Sequence, residues 1–377
     1  MHSRDQSAWR AEAFTVEASE EKLRRATASL EASVAGMSRA LEPGIKEILG
    51  DADHAAVFNE VTEALIIPAL LQIDVLGRYY FGFAPDADKV QLDGNAVGIP
   101  KVRLVQAFIH ARSVFTAQPE GDQEELMFRA TAVMLLLDPE HLTAANTRKR
   151  LVSVEGPDVE RRLWREKLFV DSLLTSYLHR HSKSPTLWSH RRWLLERLKK
   201  REQAVDPVED LRDRVFVAAE RHARNYYAWG HARYVVKSVE PGSSCWQSIL
   251  AETVKWCRCH HDDVSGWMFL ALLLERWPAE SVLVDVMKLT ESLRWRNESV
   301  WYFLRNVMAD ERVAELRPRL DSVLREARQG DDADGQGRKV MDRASRWMMK
   351  YPTRASYTTD DGEGRRPRDG AKGPKQE

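Results

Sequence analysis

The chain has 377 residues, and its 57 basic and 57 acidic side chains give a formal net charge of zero. This balance argues against a general nucleic-acid binder, which normally carries a surplus of Lys and Arg. No run of about 18 apolar residues occurs, which argues against a membrane span. An odd and small number of cysteines fits a reducing compartment, and the first residues lack the apolar region of a signal peptide. We therefore expect a cytoplasmic protein.

The first 123 residues are predicted to form an N-terminal helical region. Ser19–Leu41 is predicted as one helix, and His54–Leu76 as a second helix that is interrupted at Pro68. Residues 81–100 are rich in Gly, Pro and Asp and are predicted as a loop. Lys101–Ala117 is again predicted as a helix.

A twelve-residue peptide recurs along the middle of the chain. It is SPTLWSHRRWLL at Ser184–Leu195 and NYYAWGHARYVV at Asn225–Val236. Weaker copies contain Trp267 and Trp301, and Ala145 takes the place of the Trp in an upstream copy. Successive copies are 43, 41, 38 and 34 residues apart, which is typical of stacked helical repeats.

Each copy is predicted to begin a helix, and a second helix is predicted between copies. Good N-cap residues stand at or before the copies: Asp138, Ser184, Asn225 and Asn297. Prolines suited to the first helical position follow two of them, as Pro139 and Pro185. The intervening helices are predicted at Glu160–His179, Val208–His222, Cys245–Cys259 and Ala279–Leu293.

A single helical hairpin cannot bury its apolar face, so neighbouring hairpins must stack. We therefore predict an all-α fold, an α-α superhelix of stacked helical hairpins that is similar to a tetratricopeptide solenoid. Five hairpins are predicted over residues 124–310, followed by C-terminal helices over 311–352. Residues 353–377 have few apolar side chains and are predicted to be a disordered tail.

The recurring peptide resembles the repeat of protein prenyltransferase alpha subunits, which is Asn-Tyr-x-x-Trp-x-His-Arg followed by hydrophobic residues. The resemblance covers about residues 124–310 and is strongest in the second and third copies. Tetratricopeptide repeats lack Trp-x-His-Arg, which argues against an unrelated helical adaptor. Leu135–Leu151 and Lys183–Pro185 are most similar to the branch whose alpha-like subunit serves a type III geranylgeranyltransferase.

The resemblance implies one subunit of a heterodimeric enzyme that joins a protein cysteine thiolate to the isoprenoid of geranylgeranyl diphosphate. In this family the zinc ion and most of the isoprenoid pocket belong to the beta subunit, so no cofactor is expected on this chain. The implied partners are a prenyltransferase beta subunit, that of Rab geranylgeranyltransferase, and a protein substrate with a C-terminal Cys, such as a SNARE. The alternative is a non-catalytic helical-repeat scaffold for binding that kept the fold only.

Lys183 is the candidate catalytic residue that the resemblance implies. In the family a Lys at this position lies near the leaving diphosphate, where a fixed cation stabilises developing negative charge. Asn225, Tyr226 and Tyr227 match residues near the diphosphate and the peptide. Pro185 stands where the family has a Tyr, so one aromatic contact is missing. The alternative roles are a solvated loop lysine and, for Asn225, a helix N-cap.

Several other residues are predicted to be structural or to lie at an interface. A repeated His-Arg pair more plausibly satisfies buried polar groups, or meets carboxylates of the partner, than acts in catalysis. The residues concerned are His190, Arg191, Arg192, His231 and Arg233. The core between hairpins is predicted to contain Trp188, Trp229, Trp267 and Trp301. The peptide Cys257–His261 could suggest a metal site, but it lacks a second ligand pair, so no metal ligand is predicted.

Overall fold

In a computed structural model of the protein, the structure describes residues 53–66, 69–77, 89–117, 123–329 and 335–351. These residues are mostly α-helical, which confirms the predicted helical fold class. The helix predicted at Ser19–Leu41 and the tail predicted at residues 353–377 lie outside the described residues. The chain divides into two compact units, residues up to Phe269 and residues from Leu270. The predicted domain boundaries remain predictions.

Helices occupy most of the first unit. Their bounds are α1 His54–Leu65, α2 Lys101–Ala117, α3 Glu124–Leu137, α4 Leu142–Val152, α5 Val159–Leu174, α6 His179–Ser182, α7 Pro185–Lys199, α8 Pro207–Asp210, α9 Phe216–Arg221, α10 Tyr226–Val236, α11 Ser244–Cys259 and α12 Val264–Arg276. A π-helical turn, Leu211–Val215, joins α8 to α9. The unit boundary falls within α12.

The second unit continues the helical pattern. It contains α13 Glu280–Ser292, α14 Glu298–Val307, a 3₁₀ helix Glu311–Leu316, α15 Arg317–Gln329 and α16 Gln336–Lys350. Within the described ranges, no helix of either unit has the length and apolar character needed to cross a bilayer.

A small sheet in the N-terminal region corrects two predictions. The helix predicted over His54–Leu76 ends at Leu65, and Gln72–Leu76 forms strand β1. Part of the predicted loop over residues 81–100 instead forms strands β2 Gln91–Asp93 and β3 Ala96–Pro100. β3 lies in the centre of the sheet, parallel to β1 and antiparallel to β2.

The physical reasons for these differences are local as well as long-range. In the sequence, a proline at position 68 disfavours a helix through this segment, and the buried residues Leu71 and Ile73 alternate with polar ones, as in a strand. The two-residue loop between β2 and β3 is Gly94-Asn95, and Gly94 has a φ of 58°, a conformation that favours glycine. β1 adds a third strand to this hairpin by pairing with β3. The sequence pattern does not reveal that pairing.

The helices that carry the recurring peptide are capped as the sequence predicts, except in the first copy. Ser184 and Asn225 accept a hydrogen bond from the backbone N–H three residues ahead, and Pro185 occupies the first turn of α7. In the first copy, Asp138 ends α3, and the cap of α4 is His141, whose Nδ1 accepts from the Ala144 N–H at 3.1 Å. The prediction of a cap at Asp138 with Pro139 in the first turn was therefore wrong.

The caps also connect successive repeats in the first unit. Ser184 Oγ donates to the Pro139 carbonyl at 3.2 Å, and Asn225 Nδ2 donates to the Ser182 carbonyl at 2.9 Å. Asp263 accepts from the Arg224 N–H at 2.9 Å. In each case the cap contacts the segment just before the preceding repeat helix, so one side chain both begins a helix and sets the register between neighbouring hairpins.

Candidate functional site

Lys183 lies at the end of α6 and is half-buried. Its Nζ donates a hydrogen bond to the Ala223 carbonyl at 3.0 Å, just before the N-cap of α10. The preceding residue, Ser182, accepts through its carbonyl from Asn225, the α10 cap itself. Lys183 and Asn225 are therefore brought together, and the ammonium lies beside the positive end of the α10 dipole.

The tryptophans of the repeats reveal why the Ala223 carbonyl is available to Lys183. The indole N–H groups of Trp188, Trp267 and Trp301 each donate to the carbonyl six residues earlier, at 2.8 to 2.9 Å. The equivalent acceptor for Trp229 is the Ala223 carbonyl, yet the buried Trp229 Nε1 has no hydrogen-bond partner in the described part of the chain. Lys183 thus bonds the Ala223 carbonyl, which is the acceptor expected for the Trp229 indole by analogy with the other repeats.

The backbone at this point is unusual. Arg224 has a φ of 57°, which is uncommon for a residue other than glycine, and its N–H is held by Asp263. The strain of this left-handed residue lies between Ala223 and the cap Asn225. We infer that it turns the Ala223 carbonyl away from Trp229 and toward Lys183.

Exposed aromatic side chains stand close to this position along the chain. Tyr226 is 76% exposed and Tyr227 is 40% exposed, and both lie in the first turn of α10. Tyr177, 62% exposed, lies beneath the guanidinium of Arg221 at 4.4 Å. We call Lys183, Tyr177, Tyr226 and Tyr227 the Lys183 surface. Exposed tyrosines next to a cation are typical of a binding surface, because Tyr is enriched where one partner meets another.

Two histidines lie close to the same surface. The rings of His179 and His222 meet edge to face at 5.3 Å between centroids. Burial lowers the pKa of His222, and the charges of His179 and Lys183 lower it further. His222 is therefore neutral near pH 7.

The His and Arg residues of the recurring peptide form a different, buried cluster. Arg191 is fully buried and pairs with Asp171 of α5 at 2.7 Å and with Asp210 of α8. Burial alone would raise the pKa of Asp171, but Arg191, Lys167 and Arg214 outweigh it and lower the pKa to about 2. The pKa of Asp210 is also lowered, against its burial, chiefly by Arg191.

His231 of the next repeat completes this cluster. Its Nε2 lies 2.6 Å from Arg191 Nη1 and 3.2 Å from Asp210 Oδ2. A guanidinium can only donate and a carboxylate can only accept, so Nε2 hydrogen-bonds one of these two groups, according to which ring nitrogen carries the proton. Burial lowers the pKa of His231. This ring connects the second and third repeats but is remote from solvent.

The first repeat contains a parallel arrangement. Arg148, at the position of Arg191 in its own repeat, is buried and donates through Nε to Glu166 of α5 at 2.9 Å. His190 Nε2 lies 3.4 Å from the same carboxylate without hydrogen-bond geometry. Burial lowers the pKa of His190 to about 4 despite the Glu166 charge. Each arginine therefore reaches an acid on the helix that begins the next hairpin.

The remaining predicted residues divide between surface and core. Arg192 is exposed, with its guanidinium 4.7 Å from the Tyr234 ring, and Arg233 donates to the Trp229 carbonyl of its own helix. The repeat tryptophans are 0 to 3% exposed. In the described part of the chain, no group of three or more His, Cys, Asp or Glu side chains is arranged to hold a metal ion. Cys257 is buried and Cys259 is exposed.

Sequence reasoning missed the carboxylates that hold the cluster together. Glu166, Asp171 and Asp210 are each at most 3% exposed. A signal was present, because Glu166 lies three residues after Leu163 on the apolar face of an amphipathic helix, where an acid requires a partner. The separation of 18 or 19 residues between Arg148 and Glu166 and between Arg191 and Asp210 was a second signal.

Comparison with known proteins identifies the repeat. Residues 171–198 match the family described as protein prenyltransferase alpha subunit repeat. The chain carries a protein prenyltransferase alpha subunit repeat. The matched segment contains Asp171, Lys183, His190 and Arg191, and so includes both the surface lysine and part of the buried cluster. Residues 187–294 also match the family described as ECM9 middle domain.

Whole-protein relatives agree with the repeat, which confirms the predicted resemblance. The chain is 29% identical over 204 residues to protein prenyltransferase alpha subunit repeat-containing protein 1 of Danio rerio, covering 48% of this chain and 46% of that protein. The protein of the same name from Homo sapiens is 24% identical over 210 residues, half of each chain. Protein 1-A of Xenopus laevis is 27% identical over 203 residues, 48% of this chain and 45% of the relative. The chain thus spans about half the length of the curated relatives that it matches.

Proposed function

We propose that this chain is the alpha-like subunit of a heterodimeric protein geranylgeranyltransferase and that it binds its beta subunit through the Lys183 surface. The observation that carries the proposal is the position of the Lys183 ammonium, held at the Ala223 carbonyl beside the N-terminus of α10. A cation and a helix N-terminus at one point favour a bound diphosphate. Exposed Tyr226 and Tyr227 supply the aromatic contact area that a partner would cover.

In the proposed reaction, the sulfur of a protein cysteine thiolate forms a bond to the first carbon of geranylgeranyl diphosphate. The bond between that carbon and the diphosphate oxygen breaks, and its electron pair leaves with diphosphate. Zinc, which we expect on the beta subunit, would stabilise the thiolate. Lys183 would exchange its bond to Ala223 for one to the departing oxygens, where negative charge develops.

The proposed partners are a prenyltransferase beta subunit, such as that of Rab geranylgeranyltransferase, and a cytoplasmic protein substrate with a C-terminal Cys, such as a SNARE. Co-expression of the tagged chain with candidate beta subunits tests assembly, and we expect a 1:1 complex with one of them. Tyr226→Glu should weaken that complex while the chain stays folded, because a buried charge would be left without a partner. Normal assembly by the variant would place the interface elsewhere.

Lys183→Ala tests the catalytic part of the proposal. The complex should form normally and transfer the isoprenoid more slowly, with the effect in kcat rather than KM, because the contact strengthens as charge develops. One such contact contributes roughly 2–4 kcal/mol, or about 30- to 1,000-fold. Lys200→Ala, at the far end of α7, is the matched control and should leave the rate unchanged.

A normal rate for the Lys183→Ala complex would favour a binding scaffold over a catalytic subunit. That second function has an observation in its favour, because Lys183 already donates to a backbone carbonyl within this chain. Failure of Lys183→Ala to assemble would instead make Lys183 an interface residue.

A further inference from the structure

A cavity of about 420 Å³ opens in the first unit, away from the residues of the Lys183 surface. It lies among α1, the segment before β1, α3 and α5. Much of its wall is apolar, and it includes Leu65, Leu71, Phe128, Leu168 and Phe169. Its volume lies in the range of small-molecule sites, roughly 300–1,000 Å³.

The charged residues that line this cavity all have the same sign. Five arginines contribute to its wall, and none of the lining residues is an Asp or Glu: Arg129, Arg148, Arg161, Arg162 and Arg165. In a chain with no net charge, this is a local excess of positive charge. A concave site with walls of low dielectric strengthens the field of such a group and favours an anion.

Three of these arginines are balanced by carboxylates outside the cavity. Arg148 pairs with buried Glu166, Arg165 with Glu125 at 3.0 Å, and Arg161 with Asp158 at 3.1 Å. Their charges are therefore partly neutralised before any ligand binds.

Arg129 and Arg162 differ, because the described residues provide them with neutral acceptors alone. Arg129 donates to Thr62 Oγ1 at 2.8 Å and to Asn59 Oδ1 at 3.1 Å. Arg162 donates to the Val154 carbonyl, and its buried Nε has no hydrogen-bond partner. Among the described residues no carboxylate balances these two charges, and a guanidinium bonds an anionic ligand more strongly than it bonds a neutral acceptor.

The apolar wall adjoins these charges directly. The guanidinium of Arg148 lies 3.8 Å from the Phe128 ring centroid, and that of Arg165 lies 4.8 Å from it. We infer that the cavity binds a small anionic amphiphile, whose carboxylate or phosphate contacts Arg129 and Arg162 and whose alkyl chain lies against Phe128 and Leu168. This site does not depend on the proposed prenyl transfer.

Isothermal titration calorimetry on the full chain tests the inference with dodecyl phosphate and dodecanoate, below the concentrations at which they form micelles. We expect both to bind with 1:1 stoichiometry, and dodecylammonium, with the same chain and the opposite charge, to bind at least tenfold more weakly. Inorganic phosphate alone should also bind more weakly, because it lacks the alkyl chain. Equal binding of the cation, or binding of free phosphate as tight as that of dodecyl phosphate, would overturn the inference.

Three variants locate the site. Arg162→Gln and Arg129→Gln should each weaken dodecyl phosphate binding by about tenfold or more, as expected for the loss of a charge-assisted hydrogen bond. Ala132→Phe should block the alkyl chain, because Ala132 lines the wall. Arg212→Gln is the matched control, an exposed arginine paired with Asp213, and should leave binding unchanged.

Thermal unfolding of each variant separates lost binding from lost structure. Arg162→Gln removes one hydrogen bond to a backbone carbonyl, so it decides the question if Arg129→Gln or Ala132→Phe fails to fold. Unchanged binding by folded Arg162→Gln would refute the site. A peptide with a free C-terminal leucine that binds here when dodecyl phosphate does not would replace the amphiphile with a peptide ligand and would also refute it.

Discussion

Arg191 is a fully buried guanidinium whose charge is balanced by carboxylates from two different helices. Burying these charges costs free energy, and their mutual attraction offsets that cost when the geometry is good. These ion pairs therefore specify how the two helices are arranged as much as they stabilise the fold. Asp171 and Asp210 come from successive hairpins, so Arg191 can pair with both in one register alone.

Replacing Arg191 by Met should destabilise the chain strongly. Met keeps much of the side-chain volume but leaves Asp210 buried without its principal counter-charge, which costs about 3–5 kcal/mol. Urea unfolding followed by tryptophan fluorescence measures the loss. Arg192→Met is the matched control, one residue away and exposed, and should change stability by about 0.5 kcal/mol or less.

A second change tests whether the unpaired carboxylate causes the loss. Adding Asp210→Leu to Arg191→Met should recover part of the stability, because the buried charge left behind is removed. If the double variant is as unstable as the sum of the two single variants, packing rather than charge balance explains the effect.

At the scale of the element, the sequence located the repeat helices well because their signals are local. Ser184 with Pro185 and Asn225 each specify a helix start within a few residues. The sheet escaped prediction because β1 and β3 pair across a gap of 24 residues, as Ile73 does with Val97. A pairing of that kind depends on tertiary contacts, which periodicity in one segment does not encode.

The same distinction applies to the candidate site. The recurrence of Trp, His and Arg pointed to the right helices, and the caps brought Lys183 and Asn225 together. The carboxylates Glu166 and Asp171 lie on an intervening helix with no recurring motif, so their contacts emerge from packing. The bond from Lys183 to Ala223 lies next to the left-handed residue Arg224, and no pattern in the sequence specifies that conformation.

Two glycines beside repeat tryptophans should respond in opposite directions to Ala. A Cβ at Gly266 would lie 2.3 Å from Trp256 Cζ3, and that ring is confined by Trp229 at 4.9 Å and by stacked His260 at 4.2 Å. Ala improves helix propensity by roughly 1 kcal/mol, but overpacking costs typically 1–3 kcal/mol and more when the neighbour cannot move. We expect Gly266→Ala to lower stability.

Gly230 supplies the control for that prediction. It lies in α10 next to Trp229, and a Cβ there would meet nothing within 4 Å. Gly230→Ala should therefore raise stability by about 0.4–1 kcal/mol, through the reduced entropy of the unfolded chain. Thermal unfolding of both variants measures the two effects, and a stabilised Gly266→Ala would mean that Trp256 can shift aside.

At the scale of the molecule, buried neutral histidines should make the fold sensitive to acid. His181 is 6% exposed, and its Nε2–H donates to the Leu136 carbonyl at 2.9 Å. Burial lowers its pKa to about 4, and the two backbone hydrogen bonds offset this only in part. His190 has its pKa lowered to about 4 as well, also by burial.

A histidine with a lowered pKa in the folded state takes up its proton more readily when unfolded. Between pH 6.5 and about 4 the unfolded chain binds the extra proton, so acid favours unfolding. The stabilising contribution is complete above pH 6.5 and is lost as the pH falls toward 4. For His181 the shift corresponds to a loss on the order of 3 kcal/mol.

Urea unfolding at pH 7.5, 6, 5 and 4 should therefore give a free energy of unfolding that falls with each step in pH. His181→Gln keeps an N–H donor for the Leu135 and Leu136 carbonyls but does not titrate, so its free energy of unfolding should fall less steeply over the same range. His261→Gln, in the turn after α11, is the control and should retain the steep fall. Parallel curves for the original chain and His181→Gln would show that this histidine accepts its proton without disturbing the carbonyl end of α3, and the acid sensitivity would then originate at other buried groups with a lowered pKa, such as His190 and His231.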